Sequence, residues 1–179
     1  MDNRYDRTAI SLHWLVALGI IGTFSLGVYM HDLPLSPTKL QLYSWHKWAG
    51  VTLFLLAIVR LAWRIAHPAP PLPAAMPALQ RAAAQAAHWV LYALMLMIPI
   101  SGWLMSSAKG FQTVWFGVLP LPDLVAKDAE LGDLLLGVHK ALNFTLLAVV
   151  VAHVGAALKH HFIDRDDVLT RMLPATQKS

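Results

Sequence analysis

The sequence predicts an all-α membrane protein, a bundle of four transmembrane helices with both termini in the cytoplasm. Hydrophobic residues make up 57% of the 179 residues and charged residues only 13%, whereas an average soluble domain carries about 25% charged residues. The apolar residues are gathered into four long runs, and the basic residues are divided unequally between the two sides of those runs. These observations predict one membrane domain over residues 1–179.

Each of the four runs is long enough to cross a bilayer, because a spanning helix needs about 20 apolar residues at about 1.5 Å each. The runs cover residues 8–30, 45–63, 83–105 and 134–158. All ten carboxylates lie at the ends of these runs or in the loops. Tryptophans lie near the run ends, as in an interfacial aromatic belt. Pro99 is expected to kink the third helix.

The loops carry the orientation signal. With the N-terminus inside, nine basic residues lie on the inner side and five on the outer side, which together are the fourteen of the chain. Cytoplasmic loops are enriched in Lys and Arg, so both termini are expected in the cytoplasm. The net charge of +4 reflects this bias, and because no basic stripe is interleaved with aromatics we expect no nucleic-acid partner. The longest loop, residues 107–133, is expected to fold over the outer end of the bundle.

Four histidines lie inside the apolar runs or at their mouths: His13, His46, His139 and His153. An ionisable side chain at membrane depth marks a candidate functional site. His13 and His153 share the inner level, and His46 and His139 share the outer level. Because His139 and His153 are two heptads apart, they project from nearly the same helix face, about 21 Å apart along the axis. The spacing predicts two separate metal cofactors stacked across the membrane.

Haem is the cofactor that best fits two such pairs. A neutral imidazole binds iron without adding charge to the hydrocarbon region. Two imidazoles on facing helices fill both axial positions, which suits the iron to electron transfer rather than to oxygen binding. Since the chain has no cysteine, the Cys-x-x-Cys-His attachment of c-type haem is excluded.

The other histidines have less specific interpretations. His88 lies at the level of the inner pair and either replaces one of its members or lines a nearby site. His160 follows His153 by seven residues, further toward the inner surface, and either hydrogen-bonds a quinone carbonyl and relays protons or is an interfacial side chain. His31, His67 and His161 are predicted to be interfacial polar residues.

Further residues near these levels have two interpretations each. Gly19, Gly22, Gly50 and Gly137 leave room for a flat ring, or else allow close helix packing. Arg60 and Arg64, one turn apart, either pair with haem propionates or are charges that set the orientation of the chain in the membrane. On the outer side, a mouth formed by Lys39, Lys47, Lys109 and Lys140 would attract a small anion, although acidic residues occupy the same side.

Several segments carry a family resemblance: Asn3-Arg-Tyr-Asp-Arg with Ile10-Ser-Leu-His13-Trp14, Trp45-His46-Lys-Trp-Ala-Gly50, Val59-Arg60-Leu-Ala-Trp-Arg64, and His153 with His160-His161-Phe162. Together they resemble the bacterial cytochrome b561 family over essentially the whole chain. The resemblance implies a multi-pass, di-haem b protein of the bacterial inner membrane, with His13 and His153 ligating the inner haem and His46 and His139 the outer one. It also implies an oxidoreductase that oxidises superoxide at the outer face and reduces ubiquinone near His160.

Two alternatives remain open from the sequence. Members of the wider family are cytochrome b subunits that accept electrons from a partner dehydrogenase or hydrogenase. A histidine-lined transporter without haem is a third possibility, and it predicts a colourless protein.

Overall fold

The computed structural model describes residues 4–73 and 76–174, and these fold mainly into helix. The four long helices are α1 Arg7–His31, α2 Pro37–Ala66, α3 Ala78–Ala108 and α4 Ala129–Lys159. All four are long and apolar enough to cross a membrane, which confirms the predicted spans. Each helix extends beyond its apolar run, most of all α2, where residues 37–44 precede the predicted start.

Side-chain caps define where three of these helices begin. The carboxylate of Asp6 accepts from the Ala9 amide at 2.9 Å at the start of α1. The Ser36 hydroxyl caps α2 ahead of a proline in the first turn, and Asp128 caps α4. Such caps satisfy amide groups that would otherwise lack an intrahelical partner. The polar residues between the apolar runs therefore set the helix boundaries.

The helices pack as chain neighbours, α1 on α2, α2 on α3 and α3 on α4. The start of α1 meets the end of α2, where the Trp63 indole donates to the Asp6 carboxylate at 3.2 Å. We call this the termini end, because both ends of the described chain lie there. The opposite end, where α1 leads into α2 and α3 into α4, is called the hairpin end.

The outward faces of the helices are apolar. Leu18, Ile21, Phe144 and Val151 each expose most of their side chain. Helices that are apolar on every face are typical of membrane spans. The buried core between them is small, so the interior can hold cavities.

A short β-hairpin closes the hairpin end within the long predicted loop. Strands β1 (Val114–Trp115) and β2 (Leu119–Pro120) pair antiparallel. The turn between them contains Phe116 and Gly117, both with positive φ, a conformation for which glycine is suited. The Trp48 indole donates to the Val114 carbonyl at 2.6 Å, and the Trp103 indole donates to the Pro122 carbonyl at 3.0 Å. These contacts confirm that the loop folds over the end of the bundle.

The C-terminal segment crosses the termini end. A π-helical turn, His160–Asp164, follows α4, and a 3-10 turn, Thr170–Met172, follows that. The Trp14 indole donates to the Met172 carbonyl at 2.8 Å, and the Arg171 guanidinium donates to the Pro71 carbonyl at 2.6 Å. The segment therefore ties α1 to the connection between α2 and α3.

Candidate functional site

At the hairpin end, α2 and α4 place two imidazole rings opposite one another. The ring centroids of His46 and His139 are 6.4 Å apart, with an angle of 81° between the ring planes. An imidazole nitrogen binds a metal at about 2.0–2.1 Å, so two imidazoles on opposite sides of one ion hold their centroids about 6.3 Å apart. This pair has the separation that a single shared metal ion requires.

Contacts from α3 orient the His139 ring. Its Nδ1 lies 2.9 Å from the Ser101 hydroxyl and 3.1 Å from the Ile98 carbonyl. Because a carbonyl only accepts, Nδ1 carries the hydrogen and Nε2 keeps a lone pair. Metal-bound histidines commonly donate their other ring N–H to a carbonyl in this way. The surroundings of His139 thus fit a ring that binds metal through Nε2.

Two glycines that the sequence analysis did not single out lie against the hairpin-end rings. A Cβ added to Gly27 of α1 would lie 3.0 Å from Cε1 of His46, and one added to Gly102 of α3 would lie 3.1 Å from Cε1 of His139. Each imidazole therefore packs directly on the backbone of a neighbouring helix. Spacing along the sequence did not indicate this, because each glycine and the ring it faces belong to different helices.

The glycines considered in the sequence analysis have other surroundings. A Cβ at Gly19 would lie 2.5 Å from Leu53, so this glycine allows close packing of α1 on α2. Gly22, Gly50 and Gly137 have more space. Apart from the local backbone of the same helix, no atom of the described residues lies within 4 Å of a Cβ built at any of the three. Gly50 lines the cavity beside His46 and His139.

That cavity is partly open and has a volume of about 560 Å³, which includes space open to solvent. Apart from the two imidazoles, its walls are mainly apolar, and they include Val16, Leu53 and Leu146. Nδ1 of His46 is buried. An apolar wall with two convergent ring nitrogens suits a flat hydrophobic macrocycle that carries a metal.

A second histidine cluster lies nearer the termini end. His13 and His153 have ring centroids 6.4 Å apart, the same distance as the first pair. His88 joins them, with its centroid 5.4 Å from that of His153. The shorter distance falls below the roughly 6.3 Å expected for two imidazoles on one ion. The separations therefore favour His13 with His153 as the metal-binding pair and leave His88 beside it.

Arg60 contacts this second cluster directly. Its guanidinium donates to Nδ1 of His13 at 2.8 Å. Because a guanidinium only donates, Nδ1 of His13 is an acceptor here, the reverse of Nδ1 in His139. Metal binding through Nε2 of a neutral His13 requires Arg60 to release this contact.

Two arginines on α2 share one tyrosine near the cluster. The guanidinium groups of Arg60 and Arg64 lie 5.6 Å and 6.0 Å from the ring centroid of Tyr92. They line a cavity of about 350 Å³ together with Tyr5 and His67. Two guanidiniums facing one cavity create a site that suits an acidic group.

His160 lies in a different environment, at the first residue of the π-helical turn. It is only 6% exposed, and its Nδ1 lies 2.6 Å from the Asp166 carboxylate. Its Nε2 lies 3.1 Å from the side-chain nitrogen of Gln80 on α3. Neither Asp166 nor Gln80 was identified from the sequence, since a turn and a separate helix bring them to the ring.

The lysines of the predicted outer mouth are engaged in contacts. Lys47 donates to the Phe111 and Gln112 carbonyls, each at 3.1 Å, which anchors the loop. Lys140 lies 2.8 Å from Nε2 of His31. Lys109 pairs with a carboxylate, and Lys39 donates to carbonyls at the end of α1. These contacts restrain the four side chains, but within the described part of the chain only Lys109 of the four has its charge offset by an ion pair with a carboxylate.

Asp6 is a charged group just outside the first span. Burial raises the pKa of Asp6, but hydrogen bonds from the Ala9 amide and the Trp63 indole outweigh it and hold that pKa below its ordinary value of 3.8. The ionised carboxylate therefore stabilises both the start of α1 and its junction with α2.

Comparisons with known proteins identify the family of this chain. Residues 4–175 match the family described as Prokaryotic cytochrome b561. Cytochrome b561 homolog 2 of Escherichia coli (strain K12) is 37% identical over 95% of this chain and 91% of its own length. Homolog 1 of the same organism is 31% identical, over 96% and 98%. The probable superoxide oxidase CybB of Yersinia pestis is 27% identical, over 97% and 98%. The chain therefore belongs to the prokaryotic cytochrome b561 family of haem b electron-transfer proteins of bacterial membranes.

Proposed function

We propose that this protein is a superoxide:ubiquinone oxidoreductase of the bacterial inner membrane. Two superoxide ions give up one electron each and become two molecules of O₂. One ubiquinone takes up those two electrons with two protons and becomes ubiquinol. One observation carries the proposal. The four-helix bundle contains two imidazole pairs at different depths, and in each pair the ring centroids are 6.4 Å apart.

Each imidazole pair would hold one haem b, His46 with His139 at the hairpin end and His13 with His153 near the termini end. Haem b would supply a one-electron carrier at each of these sites. The Ser101 hydroxyl and the Ile98 carbonyl hold Nδ1 of His139, so that its Nε2 faces a metal in the correct tautomer. The cavity walls at the hairpin-end site are mainly apolar, which would suit the hydrophobic faces of the haem.

Arg60 and Arg64 are proposed to hold the acidic groups of the haem near the termini end. A propionate would draw the guanidinium of Arg60 away from Nδ1 of His13 and free that ring to bind metal. Charge-assisted pairs of guanidinium and carboxylate are strong enough to replace the single hydrogen bond to an imidazole.

The orientation of the electron path follows from the loops. With the basic residues concentrated on one side, the termini end faces the cytoplasm and the hairpin end faces the periplasm. Superoxide then reacts at the hairpin end and ubiquinone at the termini end, near His160. The name of the Yersinia pestis relative, probable superoxide oxidase, supports this substrate.

Rapid mixing tests the proposal directly. Purified protein containing both haems is mixed with superoxide while haem absorbance is followed, first alone and then with a ubiquinone analogue. We expect fast haem reduction without quinone, and with quinone the formation of one quinol for every two superoxide ions consumed. Slow or absent haem reduction by superoxide would reject the activity. Co-purification of a dehydrogenase or hydrogenase, together with haem reduction by that partner, would favour the electron-transfer subunit instead.

A further inference from the structure

His160 is a buried ring in contact with two carboxylates that the haem sites do not use. Its Nδ1 lies 2.6 Å from the Asp166 carboxylate and 3.3 Å from that of Asp164. Because a carboxylate only accepts, two carboxylates at one ring nitrogen fix a hydrogen at Nδ1. This arrangement equips the ring to hold and deliver a proton.

The local fold brings these groups together for a specific reason. After α4 the chain forms the π-helical turn, and Arg165 then adopts a left-handed conformation with φ of 54°. The reversal lets the Asp166 amide donate to the His160 carbonyl at 3.1 Å. The other carboxylate oxygen of Asp166 accepts from the Val168 amide at 3.0 Å. One oxygen thus fixes the turn while the other holds the imidazole.

Exposure increases in steps away from the ring. The side chain of His160 is 8% exposed, that of Asp166 22%, that of Asp164 30% and that of Lys159 46%. Lys159 pairs with Asp164, so a charged chain connects the buried imidazole to the surface of the termini end. This chain leads from the aqueous phase to the Nδ1 side of the ring.

Nε2 is the side of the ring available to a substrate. It lies 3.1 Å from the side-chain nitrogen of Gln80 on α3, and because an amide nitrogen only donates, Nε2 accepts in this contact. A quinone carbonyl, which only accepts, could take the place of this neutral amide once Nε2 carries a hydrogen, and no ion pair would be broken. The ring would then lie between a carboxylate at Nδ1 and a substrate oxygen at Nε2.

We propose that Asp166 is a positioning residue that orients His160 and holds its positive charge, so that His160 delivers protons to the quinone. The inference rests on the proposed function. As electrons reach the quinone, its oxygen becomes basic and takes the hydrogen from Nε2 of a doubly protonated ring. The ring that remains is neutral, and its Nδ1–H still donates to the Asp166 carboxylate. Nε2 of the neutral ring then takes a new proton from water at the termini end and the step repeats, so that two electrons and two protons give one quinol.

The test uses Asp166→Asn in the full-length protein with both haems. Asparagine keeps an oxygen for the Val168 amide but puts an NH₂ group or a neutral oxygen at Nδ1. The haems are first reduced with superoxide, then a ubiquinone analogue is added and haem reoxidation is timed in H₂O and in D₂O. We expect unchanged reduction by superoxide, reoxidation slowed by about tenfold or more, and a larger solvent isotope effect than in the wild type.

Asp167→Asn is the matched control, because it makes the same change of charge one residue further on, where the carboxylate pairs with Arg171. The inference is overturned if Asp166→Asn reoxidises at the wild-type rate with the wild-type isotope effect, or if Asp167→Asn slows equally. If the wild-type haems are not reoxidised by quinone at all, the proposed function fails instead.

A measurement on the wild-type protein covers the case in which Asp166→Asn does not fold. The infrared difference spectrum of quinone reduction should contain both a carboxylate change and an imidazole ring change. A spectrum with neither change contradicts the role of the pair.

Discussion

The two histidine pairs share one separation but differ in what surrounds them. At the hairpin end, neutral groups hold the rings: a carbonyl and a hydroxyl bind Nδ1 of His139, and glycine backbones lie against both rings. Near the termini end, the ring of His13 accepts from a guanidinium, and a third imidazole is packed beside His153. The hairpin-end site is preorganised by packing, whereas the other site is governed by charge and depends on a group that neutralises Arg60.

Replacing the ligands themselves is the strongest way to break this comparison. His139→Leu is expected to remove the hairpin-end haem and leave the other, because a leucine cannot bind iron. His13→Leu is expected to do the reverse. Haem content should fall from two per chain to one in each variant, measured by the pyridine haemochrome assay, and different spectral components should disappear in the two proteins.

His88→Leu separates the third imidazole from the ligand pair. The 5.4 Å distance to His153 predicts that this variant keeps both haems. A variant with one haem would instead make His88 a ligand, and the pairing proposed for His13 would be wrong.

A subtler change tests the preorganised site through its glycine contact. Gly102→Ala places a methyl group 3.1 Å from Cε1 of His139, and such overpacking costs about 1–3 kcal/mol. We expect the hairpin-end haem to bind about 5- to 150-fold more weakly, with its spectrum shifted and the second haem unchanged. Haem titration of the purified protein measures this.

Gly22→Ala is the matched control, because no described atom beyond its own local helix backbone lies within 4 Å of the added carbon. Equal loss of haem affinity in both variants would show that the effect comes from helix packing in general and not from the ring.

The sequence was sufficient to predict the four spans, because a long apolar run has few folded alternatives in a chain with so little charge. It also predicted which histidines share a level, since depth follows directly from position along a helix. It could not predict Gly27 and Gly102, which face rings on other helices. It also missed the hairpin, whose strands have two residues each, and Asp166, which reaches His160 only because Arg165 reverses the chain. The rotation of one helix relative to another and the path of a turn depend on tertiary packing, which cannot be predicted from the spacing of residues in a single sequence.

The charge-governed site responds to Arg60. Arg60→Gln removes a cation near His13, and a nearby positive charge stabilises the reduced, more negative state of a haem. The reduction potential of the haem near the termini end should therefore fall, while that of the hairpin-end haem stays constant as an internal control. Redox titration followed by absorbance separates the two. A fall of equal size in both haems would show that Arg60 acts on the whole protein rather than on one site.

The smallest expected effect concerns Asp6, which joins α1 to α2 at the termini end. Loss of a helix cap costs about 1 kcal/mol, so Asp6→Ala should lower the unfolding free energy in detergent at neutral pH by roughly that amount. Because the pKa of Asp6 is held below 3.8, its ionised form binds the Ala9 amide and the Trp63 indole more favourably than the protonated form. That contribution is fully present above the ordinary value and is lost as the pH falls through the lowered one. Unfolding followed by haem absorbance should therefore show the difference between wild type and Asp6→Ala shrinking in acid, with the haem near the termini end released first. Asp6→Asn keeps a cap oxygen without a charge, so its stability should be less sensitive to acid than that of the wild type. If the difference between wild type and Asp6→Ala does not depend on pH, the carboxylate contributes only as a neutral acceptor.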